Sequence, residues 1–152
     1  MLKNIVKIRS ALETDIGELE HLLTQIYGEE NRTLALNFLE SMFSQDFRRP
    51  SFLVAEVAGA GLIGTVAYSE ELFTVDFWGI SWVGVHSDYQ SQGVGQMLVE
   101  ACLESINQAA QKSATVIIST YPEKTHLYDR CGFKSIGHDH DGGEIMIKLL
   151  RK

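Results

Sequence analysis

The stretch "FWGISWVGVHSDYQSQGVGQMLVEACL", residues 77–103, leaves a chain few ways to fold. Its opening is rich in aromatic and β-branched residues, the composition of a strand. Its close begins a helix whose Val94, Leu98, Ala101, Cys102, Leu103 and Ile106 form a broad apolar face, ending near Lys112. Between them Gln90, Ser91, Gln92, Gly93, Val94 and Gly95 make a turn of mostly small or amide-bearing residues. A strand, a glycine turn and a helix start, in that order, expose backbone N–H groups where the helix macrodipole is positive. That arrangement suits a phosphate-bearing ligand. Glycine fits Gly93 and Gly95 because a Cβ obstructs close backbone approach or penalises a positive φ. The plain alternative is a glycine turn that only caps a helix.

The rest of the chain supplies the frame. "IVKIRSA" alternates as a first strand, with Ile5 or Val6 and Ile8 turned to the core. Thr14 or Asp15 caps a helix, Asp15 with Glu18 forming a capping box, and Ile16, Leu19, Leu22, Leu23 and Ile26 share one face. A second helix is expected from Thr33 to Ser44 with Leu34, Phe38, Leu39 and Met42 inward, ended by Pro50. "SFLVAEVAG" and "LIGTVAYSEE" read as an antiparallel hairpin, and "ATVIIST" as a buried strand. "KTHLYDRCGF" is a short helix capped at Gly132; "FKSIG" and "EIMIKLL" close the sheet around the turn "HDHDGG". The expected order is β-α-α-β-β-β-α-β-α-β-β. It predicts an α+β fold with a mixed, mostly antiparallel central sheet flanked by helices. No linker or repeat divides the chain, so residues 1–152 are expected to form one domain.

Charge and composition narrow the partners. Twenty acids against thirteen bases give a formal charge of −7, the wrong sign for a nucleic-acid partner and mildly favourable to a cationic substrate. No apolar run approaches the roughly 20 residues of a membrane span, and the start lacks a signal-peptide core, so a cytoplasmic protein is expected. Cys102 and Cys131 are too few for a disulfide framework. The turn His138, Asp139, His140 and Asp141 reads as a polar β-turn, not a metal site, because consecutive extended residues point different ways.

Three glycine-rich motifs compete for the loop. A P-loop sequence is absent; a dinucleotide fingerprint fails at Leu98, where its third glycine belongs. Counted from Gln90, the loop is Q-x-x-G-x-G after a strand and before an apolar helix. This resembles the acyl-CoA-binding motif of the GNAT superfamily of N-acetyltransferases, R or Q, x, x, G, x, G or A. About 35 residues on, "HLYDRCGF" is similar to that family's "LYEKLGF" signature, and "VKIRSALETDIGEL" resembles its usual opening.

The resemblance implies acetyl-CoA as cosubstrate, with Val83, Gly84 and Val85 pairing with the pantetheine arm. The amides of Ser91, Gln92, Gly93, Val94, Gly95 and Gln96 are then expected to hold the pyrophosphate. Val85 N–H is expected to polarise the thioester carbonyl, and Tyr128 to give a proton to the departing thiolate. A tyrosine that merely packs beneath the arm is the alternative. Where Ser87, Ser91 and Tyr121 stand, relatives often carry proline, glycine and asparagine, which leaves the usual asparagine contact without a counterpart. Glu70 and Glu71 are the candidate substrate-binding acids, with Asp76 and His86 as further possible bases. Trp78 and Trp82 are expected on one sheet face by alternation, and both cysteines are read as packing residues.

The expected activity is direct acetyl transfer to an amine in a ternary complex, without a metal. The acceptor is open, a small molecule being favoured over a protein, and the family implies a homodimer. The competing readings are a non-catalytic acyl-CoA-binding or regulatory domain and a protein or peptide N-acetyltransferase.

Overall fold

A computed structural model describes residues 2–151. The elements follow the expected order: β1 (Val6–Ser10), α1 (Ile16–Tyr27), α2 (Arg32–Ser41), β2 (Ser51–Val57), β3 (Gly61–Glu70), β4 (Phe77–Val85), α3 (Val94–Ala109), β5 (Ala114–Thr120), α4 (Thr125–Arg130), β6 (Lys134–His138) and β7 (Glu144–Leu150). The strands form one sheet in the order β1-β2-β3-β4-β5-β7-β6. Every neighbouring pair is antiparallel except β4 with β5. The fold is α+β, as the pattern predicts.

Two cores sandwich the sheet. On one face Leu98, Val99, Cys102, Leu103 and Ile106 of α3 pack with Leu53, Ala55, Ile63, Val66, Ile80, Val116, Ile118 and Met146. On the other, Leu19, Leu22 and Leu23 of α1 and Ala35, Leu39 and Met42 pack with Phe52, Val54, Leu62 and Ala67. Strand β2 is buried on both faces, which is why "FLVA" is a continuous apolar run rather than an alternation.

Several local expectations are corrected. The inward stripe of α2 is Ala35, Leu39 and Met42, at spacings of four and three; Leu34 falls off it and is half exposed. That helix also stops at Ser41. Ile5 is exposed and Val6 and Ile8 pack against the core. No capping box forms at α1. Asp15 instead accepts from Leu12 N–H (2.7 Å) and from Arg9 (2.7 and 3.0 Å). Glu18 accepts from Leu62 N–H at 2.8 Å, tying the helix to β3.

Strand β4 carries the feature that positions the site. Its pairing with β3 runs Gly64↔Val85 and Thr65↔Gly84, then resumes at Ala67↔Ser81. One extra residue is therefore accommodated on β4, and Trp82 takes a left-handed φ of 51°. The Thr65 hydroxyl donates to Trp82 C=O at 2.7 Å, and the indole meets Tyr27 and Phe38 edge-on. This β-bulge overturns the expected alternation: Trp78 packs on the α3 side, Trp82 on the α1–α2 side. Parallel pairing with β5 spans only Phe77–Gly79 against Thr115–Ile117. Beyond Gly79 the two strands share no ladder.

Candidate active site

The loop after β4 is held by its own side chains. His86 Nδ1 accepts from Asp88 N–H at 3.1 Å, and Gln90 Nε2 donates to Val85 C=O at 2.9 Å. Ser91 and Gly93 both adopt positive φ, 61° and 86°. Glycine adopts such a φ without a Cβ penalty, whereas Ser91 bears one. The first α3 bond runs from Met97 N–H to Gly93 C=O at 3.0 Å, so the amides of Val94, Gly95 and Gln96 have no partner within the helix. The glycines serve different ends. Gly93 is required by its φ. A Cβ on Gly95 meets only Leu127 and Val85, at 3.5 Å and beyond, so Gly95 keeps cavity space open rather than enabling the turn. A Cβ on Gly84 comes within 2.9 Å of Ile26 and 3.2 Å of the Tyr27 hydroxyl, so its bareness admits α1.

Where β4 and β5 part, a cavity of about 350 Å³ opens. Val83, Gly84 and Val85 line one wall, Ser91, Gly93, Val94, Gly95 and Gln96 the loop end, and Leu127 and Tyr128 the α4 side. Of the residues expected there, only Gln92 does not line it. His86 N–H donates to Ile63 C=O on β3, so strand alternation turns the groups of Val83 and Val85 away from β3, towards the split. Their carbonyls hold side-chain donors, Tyr27 Oη (2.6 Å) and Gln90 Nε2, respectively. Tyr128 is buried, and burial raises its pKa well above that of a free phenol despite a side-chain hydrogen bond with Thr120. Burial raises Tyr27 likewise, with the Tyr128 and Tyr121 phenols adding to the effect.

A profile described as "Acetyltransferase (GNAT) domain" matches residues 48–135, more than half of the chain. The chain belongs to the GNAT acetyltransferase family. It is thus an acyltransferase of the GNAT type, and its split sheet is the GNAT sheet. No curated protein matches it significantly in sequence. Among solved structures it is similar to the GNAT family N-acetyltransferase YhbS of Escherichia coli in complex with CoA: TM-score 0.74, 21% identity, 95% of this chain and 81% of that one. It is similar to the ribosomal-protein-S18-alanine N-acetyltransferase of E. coli, with TM-score 0.72, 20% identity, and 97% and 95% of the two chains covered. A variant of the spermidine N-acetyltransferase SpeG from Vibrio cholerae matches with TM-score 0.73, 17% identity, and coverage of 96% and 94%. At these identities the likeness is one of fold.

Within this GNAT frame other sequence candidates fall elsewhere. Glu70 pairs with Trp78 at the far end of the β3–β4 hairpin, and neither Glu70 nor Glu71 lines the cavity. The Glu71 carboxylate lies over Gly79, 2.5 Å from where a Cβ there would stand, and so sits on the bare sheet face. Asp76 is buried, and its carboxylate accepts from Lys112 N–H at 3.3 Å, a structural role. Cys102 is fully buried, and burial pushes its thiol pKa up; Cys131 is buried beside Gly132. In the polar turn, Asp139 accepts from the Ser119 hydroxyl and from the N–H groups of Gly143 (2.8 Å) and Asp141 (2.9 Å), which hold its carboxyl below the usual range. His138 pairs with Glu144 and His140 with Asp141, at 2.8 and 3.0 Å. Among the described residues no group of three His, Cys, Asp or Glu could hold a metal ion.

Sequence reasoning missed Tyr27, Tyr89, Lys124, His126, Leu127 and Arg130. The last four surround Tyr128 in "KTHLYDR", so the motif itself was their signal. Nothing local marked Tyr27, which reaches the split only through the tertiary packing of α1.

Proposed function

We propose that the protein transfers the acetyl group of acetyl-CoA directly to an amine, with both substrates bound at once. The observation that carries this reading is the parting of β4 from β5 beyond Gly79, which leaves one cavity reaching from unpaired helix-start amides to the Tyr128 phenol. Those amides suit the pyrophosphate, and the strand edge at Val83 and Val85 suits the amides of the pantetheine arm. Acetyl-CoA supplies a thioester carbon open to attack. Val85 N–H then polarises its carbonyl oxygen. As the C–N bond forms and the C–S bond breaks, Tyr128 donates its proton to the leaving sulfur, while the amine's surplus proton passes to water or a base. The packed positions of Cys102 and Cys131 favour direct transfer over an acyl-cysteine route.

The acceptor we propose is a small amine, cationic in solution, approaching over the bare face of β4 on the side opposite α3. The formal charge of −7 and the Glu71 carboxylate beside Gly79 support this. One structural neighbour is named for spermidine and another for a ribosomal-protein alanine, so the fold alone serves both acceptor classes. The family resemblance extends the proposal to a cytoplasmic homodimer of single-domain chains. The test is an acetyl-CoA consumption screen across polyamines, amino acids, aminoglycosides and peptides, read as free thiol. Turnover with at least one amine is expected. CoA binding without turnover of any acceptor would favour the non-catalytic reading, and a preference for hydroxyl acceptors would overturn the amine.

A further inference from the structure

The two faces of the sheet are covered unequally. The core beneath α3 draws on strands of both halves, whereas the core beneath α1 and α2 takes its strand residues from β2 and β3, with Trp82 of β4 against it. On β5 and β7 the residues that alternate with buried Val116, Ile118 and Met146 belong to neither core. Most are apolar all the same: Ile117, Ile145 and Ile147 are half-buried, and Leu149 is 51% exposed. Phe77 joins them, in register with Thr115 and alternating with Trp78 of the α3 side. Its ring lies 5.0 Å from that of Phe73, and the hairpin tip there exposes Leu72, Phe73 and Val75 by 71%, 81% and 78%.

With side chains of this kind the patch amounts to on the order of 500 Å² of apolar surface, towards the upper end of what a monomer leaves in one place. One side of a standard protein interface buries about 800 Å², about 60% of it apolar, so the patch matches one such side. Charge selects the partner. Across four strands one row of the face runs Gly79, Ile117, Ile147 and Lys134. The Glu71 carboxylate lies over Gly79, so the row has an anion at one end, a cation at the other and isoleucines between. Both charged side chains are exposed, and among the described residues neither has an ion-pair partner. Such a row is complementary to its own reverse. Two chains of formal charge −7 repel one another, and a self-contact needs a pairing of this kind to offset that.

We infer that two copies of the chain meet on this face, sheet against sheet, about a two-fold axis that runs along the strands between β5 and β7. The inference names the surface of the homodimer proposed above and rests on that part of the reading. A two-fold contact is isologous, so each pairing occurs twice. Ile117 then lies on the partner's Ile147, and Glu71 beside the partner's Lys134, at the roughly 10 Å spacing of stacked sheets. Glu71 stands at the rim, where a carboxylate's two oxygens serve the partner's lysine on one side and the acceptor path on the other. The second copy thereby walls the acceptor approach over β4.

The experiment is sedimentation equilibrium of the full chain at micromolar concentrations. It compares wild type with Leu149→Glu, Glu71→Lys, Lys134→Glu and the double variant Glu71→Lys/Lys134→Glu. Wild type is expected to be a dimer. Leu149→Glu buries an unpaired charge in each copy and should weaken association at least 100-fold, with melting temperature and circular dichroism unchanged. Either single reversal should weaken it about tenfold, and the double variant should restore it. Those reversals alter exposed side chains, so they test the face even where Leu149→Glu fails to fold. A monomeric wild type would overturn the inference together with the homodimer reading. A wild-type dimer left intact by Leu149→Glu and by both reversals would overturn the face alone. Single reversals that weaken the dimer without rescue in the double variant would overturn the proposed axis.

Discussion

A phenol that must donate a proton gains from burial, because burial disfavours its anion. Tyr128 has that environment, and its interaction with the Thr120 side chain offsets only part of the shift. It therefore stays protonated past the ordinary tyrosine pKa of about 10. If Tyr128 gives its proton to the departing thiolate as proposed, Tyr128→Phe is expected to keep CoA affinity and lower kcat by roughly 100-fold or more. With the wild type, the rate should rise with pH as the amine or its base loses a proton. No falling limb from Tyr128 should appear below about pH 10. Steady-state kinetics over pH 6–10 check both; an unimpaired variant would reduce Tyr128 to packing. At this scale the sequence was most legible where motifs are contiguous. The position of Tyr128 and of Gln90 to Gln96, Gln92 apart, along the cavity was readable because local backbone and a single helix turn place them. The positions of Glu70, Glu71 and Asp76, all outside that cavity, were not, because strand-end acids look alike in sequence and differ only in what the fold lays beside them.

Helix α1 meets the sheet through charge as well as through leucines. Arg9 on β1 reaches Asp15 at the start of α1 and Glu56 on β2, with Nε and both terminal nitrogens engaged at 2.7–3.2 Å. Asp15 is buried, and the Arg9 hydrogen bonds lower its pKa below the usual carboxylate value. A lowered folded-state pKa means stability that is fully present above the unfolded value, about pH 4, and is lost as pH falls through the folded value. Asp15→Asn is expected to cost about 1–2 kcal/mol at neutral pH. It should also flatten the stability loss below about pH 4. Urea titrations at pH 7 and from pH 5 to 2 read both effects; parallel acid profiles would contradict the assignment. All eleven elements were legible from periodicity or composition, since alternation, helical stripes and short β-branched apolar runs are local records of burial. The bulge in β4 was not. "WGISW" alternates without interruption, and what displaces Trp82 is non-local: the Thr65 hydroxyl on its carbonyl and the rings of Tyr27 and Phe38 against its indole.

Taken as one body, the protein is a four-strand and a three-strand sheet meeting along β4 and β5. That meeting comprises three residue pairs, Phe77 to Gly79 against Thr115 to Ile117. What bridges the halves elsewhere is the apolar layer under α3, which draws on β2, β3, β4, β5 and β7 alike. Side-chain contacts of that kind tolerate small changes of spacing that a ladder of hydrogen bonds does not. The short parallel pairing is in effect a seam, and the inward-facing amides of Val83 and Val85 are its open stitches. Hydrogen–deuterium exchange should register it. Those two amides are expected to exchange quickly in the free protein and to slow markedly once CoA is added, while Val54 and Val66, inside the β1–β4 half, stay protected throughout. The ligand then acts on the molecule much as a thread does on a split garment. It restores mechanical continuity between two pieces of sheet that the chain itself leaves apart.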